Sequence, residues 1–431
     1  MKRKRRVRKA YWLIGLTVML VVLAMIYVQQ GQGTTSHSSS SDDNPSVSTE
    51  QQKVLDTAAR EAAQYDYDQA IQQLENAEGS EQTKTQEAID SYRQKKEKLV
   101  SWDSDQPIPH LFFHSLIVDE QRAFDGDGMS QGYRDYMVTV EEFQAILEDL
   151  YERDYVLVTI DDLAQPNADG TMTYQDLQLP PGKKPMVLSQ DDLSYYEYMD
   201  GDGFANKLIL DEQGDVTNTY VEADGETKQG SYDMVPLIDD FVQEHPDFSY
   251  HGHKGIVAVT GYNGVLGYRT SKSAYGPESN QPNPDLAADQ EQARQVADAM
   301  KADGWTFASH TWGHLNVQET SLADLQTDTQ RWNDEVAPLV GDTNAMIFAF
   351  GSDLSDWHPY HGAKYEWLRD QGYRYFANVD ASTEAWKQLE PGYFRQARIN
   401  VDGMRMREAL QGETDVLDVF FNVEDVYSDQ R

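Results

Sequence analysis

From Ile108 to Val401 the chain repeats one local pattern, and that pattern narrows the fold more than anything else in it. A short, almost wholly apolar run is followed by a stretch whose apolar residues recur at helical spacing. Apolar runs occupy Ile108–Ile117, Tyr155–Ile160, Pro185–Leu188, Gly255–Thr260, Trp305–Ala308, Met346–Phe350, Tyr375–Val379 and Ala397–Val401. Between them, Thr139-Val-Glu-Glu142 has the form of a capping box. Phe143, Ile146, Leu147, Leu150 and Tyr151 behind it share one helical face. Residues 291–303 predict a helix that stops at Gly304, and Ser321 opens another carrying Leu322, Leu325, Trp332 and Val336. Strands buried on both faces and separated by amphipathic helices imply parallel βα units, hence an α/β barrel or an open sheet.

The rhythm breaks between 199 and 230. Lys207–Gly214 followed by Val216–Val221 reads as a hairpin turning at Glu212–Asp215, inserted at a barrel rim. Asp125-Gly-Asp127-Gly128 and Asp200-Gly-Asp202-Gly203 resemble calcium loops but lack the full ligand spacing ending in Glu. Turn chemistry accounts for them.

Ahead of this region the chain is modular. Residues 1–10 are strongly basic, and 11–28 carry no charge over 18 positions, enough for one membrane-spanning helix. The basic flank predicts a cytoplasmic N-terminus and an extracellular remainder. An uncleaved anchor is preferred to a signal peptide, since no small-x-small cleavage site follows. Residues 29–48 are rich in Ser and Thr and read as a flexible linker. Residues 49–100 read as a helical spacer of two helices broken at Asn76–Gly79, leaving 105–431 as the catalytic domain. The net charge is −37, which excludes a nucleic acid partner. There is no cysteine, so any metal is held by His, Asp or Glu.

Two motifs carry chemistry. Asp191-Asp192 ends the apolar run Met186–Gln190, and His310-Thr-Trp-Gly-His314 follows Phe307-Ala-Ser309. At the C-terminal lip of a barrel strand, where active sites collect, two adjacent carboxylates can reach one pocket. One then binds an ion and the other accepts a proton from attacking water. His310 and His314, four apart in a loop or helical turn, can chelate. His110 and His114 have the same spacing but lie along a strand, where four residues span about 13 Å.

The order Asp-Asp, then Ser309-His-Thr-Trp-Gly-His314, then Phe350-Gly351 resembles the polysaccharide deacetylase family, the NodB homology domain, in a divergent branch. The resemblance spans roughly 107–425. It implies a distorted (β/α)7 barrel and removal of N-acetyl or O-acetyl groups from glycans such as peptidoglycan or poly-N-acetylglucosamine. It implies Asp191 as general base and Asp192, His310 and His314 as ligands of a divalent metal, zinc first, with cobalt, nickel or manganese as alternatives. The backbone at Phe350 helps hold the oxyanion. The partners implied are an acetylated polysaccharide and, through the N-terminal helix, the membrane. The sequence departs from the family in lacking the arginine that orients the base in its usual place, with Arg122, Arg395 and Arg398 as substitutes. It also lacks the late histidine acid. His114, His358 and His361 are the alternatives for that acid, and Trp357 and His358 for a substrate contact.

Overall fold

The computed structural model describes residues 49–77, 82–428 and 430–431. The basic tail 1–10, the apolar stretch 11–28 and the linker 29–48 fall outside the described residues. No described helix is long and apolar enough to cross a membrane.

Three helices open the described chain: α1 (Thr49–Ala63), α2 (Tyr67–Asn76) and α3 (Thr83–Lys96). The two-helix reading of this segment missed the first break. It falls at Tyr65, which takes φ 69°, and Asp66 then caps α2 by accepting from Gln69 N–H. The helices pack on one another through Ala58, Ala62, Ala70, Leu74 and Ile89. They also dock on the rest of the chain. The Tyr65 hydroxyl donates to Asp247 O at 2.6 Å, and His251 N–H donates to Gln64 O.

Seven parallel strands then close a barrel: β1 (His110–Phe113), β2 (Lys184–Gln190), β3 (Gly255–Val259), β4 (Trp305–Ser309), β5 (Ala345–Ile347), β6 (Tyr375–Val379) and β7 (Tyr393–Asn400). Each pairs with the next, and Ile399 against Leu111 joins β7 back to β1. The (β/α)7 barrel is distorted. Tyr155–Leu157 pairs with the first residues of β2, and an antiparallel strand, Trp386–Glu390, flanks β7. Helices α4 (Val140–Glu152), α5 (Met234–Glu244), α6 (Leu286–Ala302), α7 (Leu322–Glu335), α8 (Ala363–Asp370) and α9 (Gly403–Gln411) alternate with these strands. The capping box at Thr139 is formed.

Strand periodicity sorts side chains into two sets. Val187, Ile256, Ala258, Ala308, Ala345, Ile347, Tyr375, Ala377 and Phe394, drawn from six strands, pack together as the barrel interior. Residues one position out of phase, such as Met186, Leu188, Val257 and Phe307, pack with the helices. The expected hairpin at 207–221 is instead a three-stranded antiparallel sheet, with Thr227–Gly230 paired on Val216–Val221. That third strand is polar, so alternation gave no sign of it. The Asp-Gly loops close by turn chemistry as expected: Asp125 accepts from Asp127 N–H, and Asp202 N–H donates to Met199 O.

Candidate active site

The interior phase runs past the ends of the strands, and it delivers the site. Val187 and Ser189 lead to Asp191 on β2, Ala308 to His310 on β4, and Phe394 and Gln396 to Arg398 on β7. Side chains two apart share a face, so these three groups meet above the packed interior.

Asp191 is buried, with Arg398 donating to both its oxygens at 2.7 and 2.9 Å. This bidentate pair answers which arginine serves the carboxylate. Arg395 is instead bound to Asp353, and Arg122 to Gly201 O and Val221 O beside the three-stranded sheet. Burial raises the Asp191 pKa, but Arg398 and then His310 outweigh it and hold it at about 2. Ser189 accepts from Arg398 at 3.2 Å and contacts the buried His110 at 2.9 Å, so the guanidinium is fixed from below.

Asp192 faces the histidines. Its oxygens lie 3.6 Å from His314 Nε2 and 4.0 Å from His310 Nε2. One ligand atom from each of the three residues falls within 4.8 Å of the other two. His310 Nδ1 sits 2.8 Å from Ile347 O. A carbonyl only accepts, so Nδ1 carries the hydrogen and Nε2 turns its lone pair to the carboxylates. Burial lowers the His314 pKa, which favours the neutral, ligating form. In tetrahedral zinc sites with bonds of about 2.0–2.1 Å, ligand atoms stand roughly 3.4 Å apart, so a small contraction closes this set. The residues present therefore fit a divalent cation. Asp192, Thr311, His314 and Phe350 all have positive φ, between 53° and 62°. Such strain in non-glycine residues gathers where side-chain placement is overdetermined.

The remaining expected residues divide. His114 sits just beyond β1, with Nδ1 3.1 Å from Tyr136 O. The preceding residue, Phe113, accepts from Asp191 N–H at 2.8 Å, which places His114 at the same lip. The Phe350 ring lies 4.3 Å from that of His314 and is 69% exposed, forming one wall. Trp357 and His358 stack on each other at 3.7 Å on the loop after β5. Their polar contacts run to Asp356, Arg395 and Gln388 and not to the Asp191–His314 set. His361 is on the same exposed loop. Sequence reading missed Tyr196, whose hydroxyl reaches Asp192 Oδ1 at 2.5 Å, and Asp402, a buried carboxylate that caps α9 just beyond β7. Tyr196, four residues after Asp192, gave no signal that set it apart from the chain's other tyrosines.

Comparison with solved structures finds similarity to a Streptococcus pyogenes deacetylase, PplD, in complex with acetate. The identity is 14% and the TM-score 0.39, over 72% of this chain and 99% of that one. No family model and no curated protein matches. The chemistry of the site is accordingly read from its own side chains.

Proposed function

We propose that this chain is a metal-dependent carbohydrate deacetylase. On this reading it hydrolyses N-acetyl or O-acetyl groups of glycans at the surface of the cell to which residues 11–28 anchor it. One observation carries the reading: three side chains able to ligate a divalent ion converge beside a fourth group, Asp191, that is held separately and ionised. A pure binding site has no use for that extra carboxylate.

A divalent cation at Asp192, His310 and His314, most simply zinc, would supply a Lewis acid for the acetyl carbonyl. Asp191 takes a proton from the attacking water. Arg398 keeps it ionised and aimed, at the cost of basicity. On this reading His114, just beyond β1, returns a proton to the leaving amine or alcohol. Phe350 screens the ligand side from solvent.

The test is acetate release from N-acetylated and O-acetylated glycans by the metal-loaded protein, with and without chelator. Chelation should abolish release and zinc restore it. Asp191→Asn should lower turnover by about 10²–10⁴-fold while metal content stays at that of the wild type. A carboxyl group held near 2 is a weak base, and that favours a second reading, a silent glycan-binding protein on the same fold. Glycan binding without acetate release from any substrate, metal loaded, would establish it and discard the first.

A further inference from the structure

Asp192 is held by more than its own strained backbone. Its Oδ1 lies 2.5 Å from the Tyr196 hydroxyl, which lies 2.9 Å from Thr260 Oγ1, which lies 3.1 Å from Ser194 Oγ. All three hydroxyls are buried. An ionised carboxylate only accepts, so the one Tyr196 proton goes to Asp192. The Tyr196 oxygen then accepts from Thr260, and Thr260 accepts from Ser194. The three O–H groups point in one direction, toward Asp192, and hydrogen bonds in such a chain strengthen one another.

The geometry follows from the local sequence. Asp192 at φ 60° turns the chain, and Ser194 N–H closes the turn on Asp192 O. This folds Tyr196 back over the carboxylate it follows. Its ring stacks with that of Tyr198 at 5.3 Å and 16° and with that of Tyr262 at 5.3 Å and 15°. Thr260 directly follows β3, so the chain of hydroxyls ties the lip of β2 to its neighbour.

We propose that Ser194, Thr260 and Tyr196 form a relay that positions the metal ligand Asp192. The Tyr196 hydroxyl at the end of the relay bonds Oδ1, which lies 4.0 Å from His310 Nε2, and leaves Oδ2, 3.6 Å from His314 Nε2, for the ion. Tyr196 is thus a positioning residue and touches neither ion nor substrate. The inference rests on the metal reading above and concerns affinity, so it is tested without an activity assay.

The experiment titrates the apo protein with zinc against a chromogenic chelator, and with cobalt followed by its visible absorption. Outer partners of metal ligands commonly contribute about 10–100-fold in affinity. Tyr196→Phe keeps the ring stack and removes the hydroxyl. It should weaken zinc binding by about that factor and change the cobalt spectrum. Thr260→Val should weaken binding by less, in the same direction. Tyr198→Phe, whose hydroxyl does not bond Asp192, should bind as the wild type does. Far-ultraviolet circular dichroism and melting check that each variant is folded, and should Tyr196→Phe fail there, Thr260→Val and Ser194→Ala decide. Wild-type affinity in Tyr196→Phe, or an equal loss in Tyr198→Phe, overturns the relay alone. Failure of the wild type to bind either ion overturns the metal reading with it.

Discussion

At the scale of single residues, the pair Asp191–Arg398 decides most. Both groups are buried and joined by two hydrogen bonds. Removing one partner strands the other, which in buried pairs costs about 3–5 kcal/mol. Arg398→Met should therefore lower unfolding stability at pH 7 by that order in urea titrations, and Asp191→Asn added to it should recover part of the loss. The sign with pH is fixed by the same pair. The folded pKa of Asp191, about 2, lies below its ordinary 3.8. Its contribution is complete above 3.8 and is lost as pH falls through 2, a span worth about 2 kcal/mol. The cost of Arg398→Met should shrink over that window. Much of the residue detail was legible beforehand. Asp191, Asp192, His310 and His314 came from spacing and resemblance together. The arginine did not, because Arg395 and Arg398 are both buried on one strand and the sequence offers no register. Only the interior phase of Phe394, Gln396 and Arg398 separates them, and it needs the strand to begin at Tyr393 instead of Ala397.

At the scale of elements, the histidine loop is held from behind by a helix that contributes no ligand. In α7, Asp328 accepts from Trp312 N–H at 2.8 Å and Gly313 N–H at 2.7 Å, and Glu335 accepts from the Trp312 indole at 3.1 Å. Gly261 abuts that indole so closely that a Cβ would stand 2.2 Å from it. Asp328→Ala leaves two N–H groups of the loop without their acceptor, at about 1–3 kcal/mol each where they stay dry. It should loosen zinc affinity while leaving every ligand in place, as read by chelator competition. Gly261→Ala should do the same by pushing the indole aside. The alternation of strand and helix was legible because each strand is buried on both faces. The helix Met234–Glu244 was not, since Met234, Val235, Leu237 and Ile238 are all buried and present no polar face early in it. Nor was the polar strand Thr227–Gly230.

At the scale of the whole molecule, the opening helices and the barrel form one unit from Thr49 to Arg431. Tyr65 is packed among Ile108, Leu163 and Tyr250, and Val100–Ser101 pairs with Gln178–Leu179. A fragment of residues 105–431 exposes that surface. Losing the Tyr65 contact alone removes about 2 kcal/mol, so the fragment should melt several degrees below one of residues 49–431 in paired calorimetric scans. The site, too, belongs to the closed barrel and to no part of it. Its carboxylates, its imidazoles and its guanidinium come from the second, fourth and seventh strands, 118 positions separating Asp192 from His310 and 88 more reaching Arg398. A nascent or half-threaded polypeptide thus holds only part of this set, the two imidazoles of one loop. The guanidinium of Arg398 arrives only with β7, so a chain that has not closed its barrel leaves Asp191 without the counter-charge its burial requires.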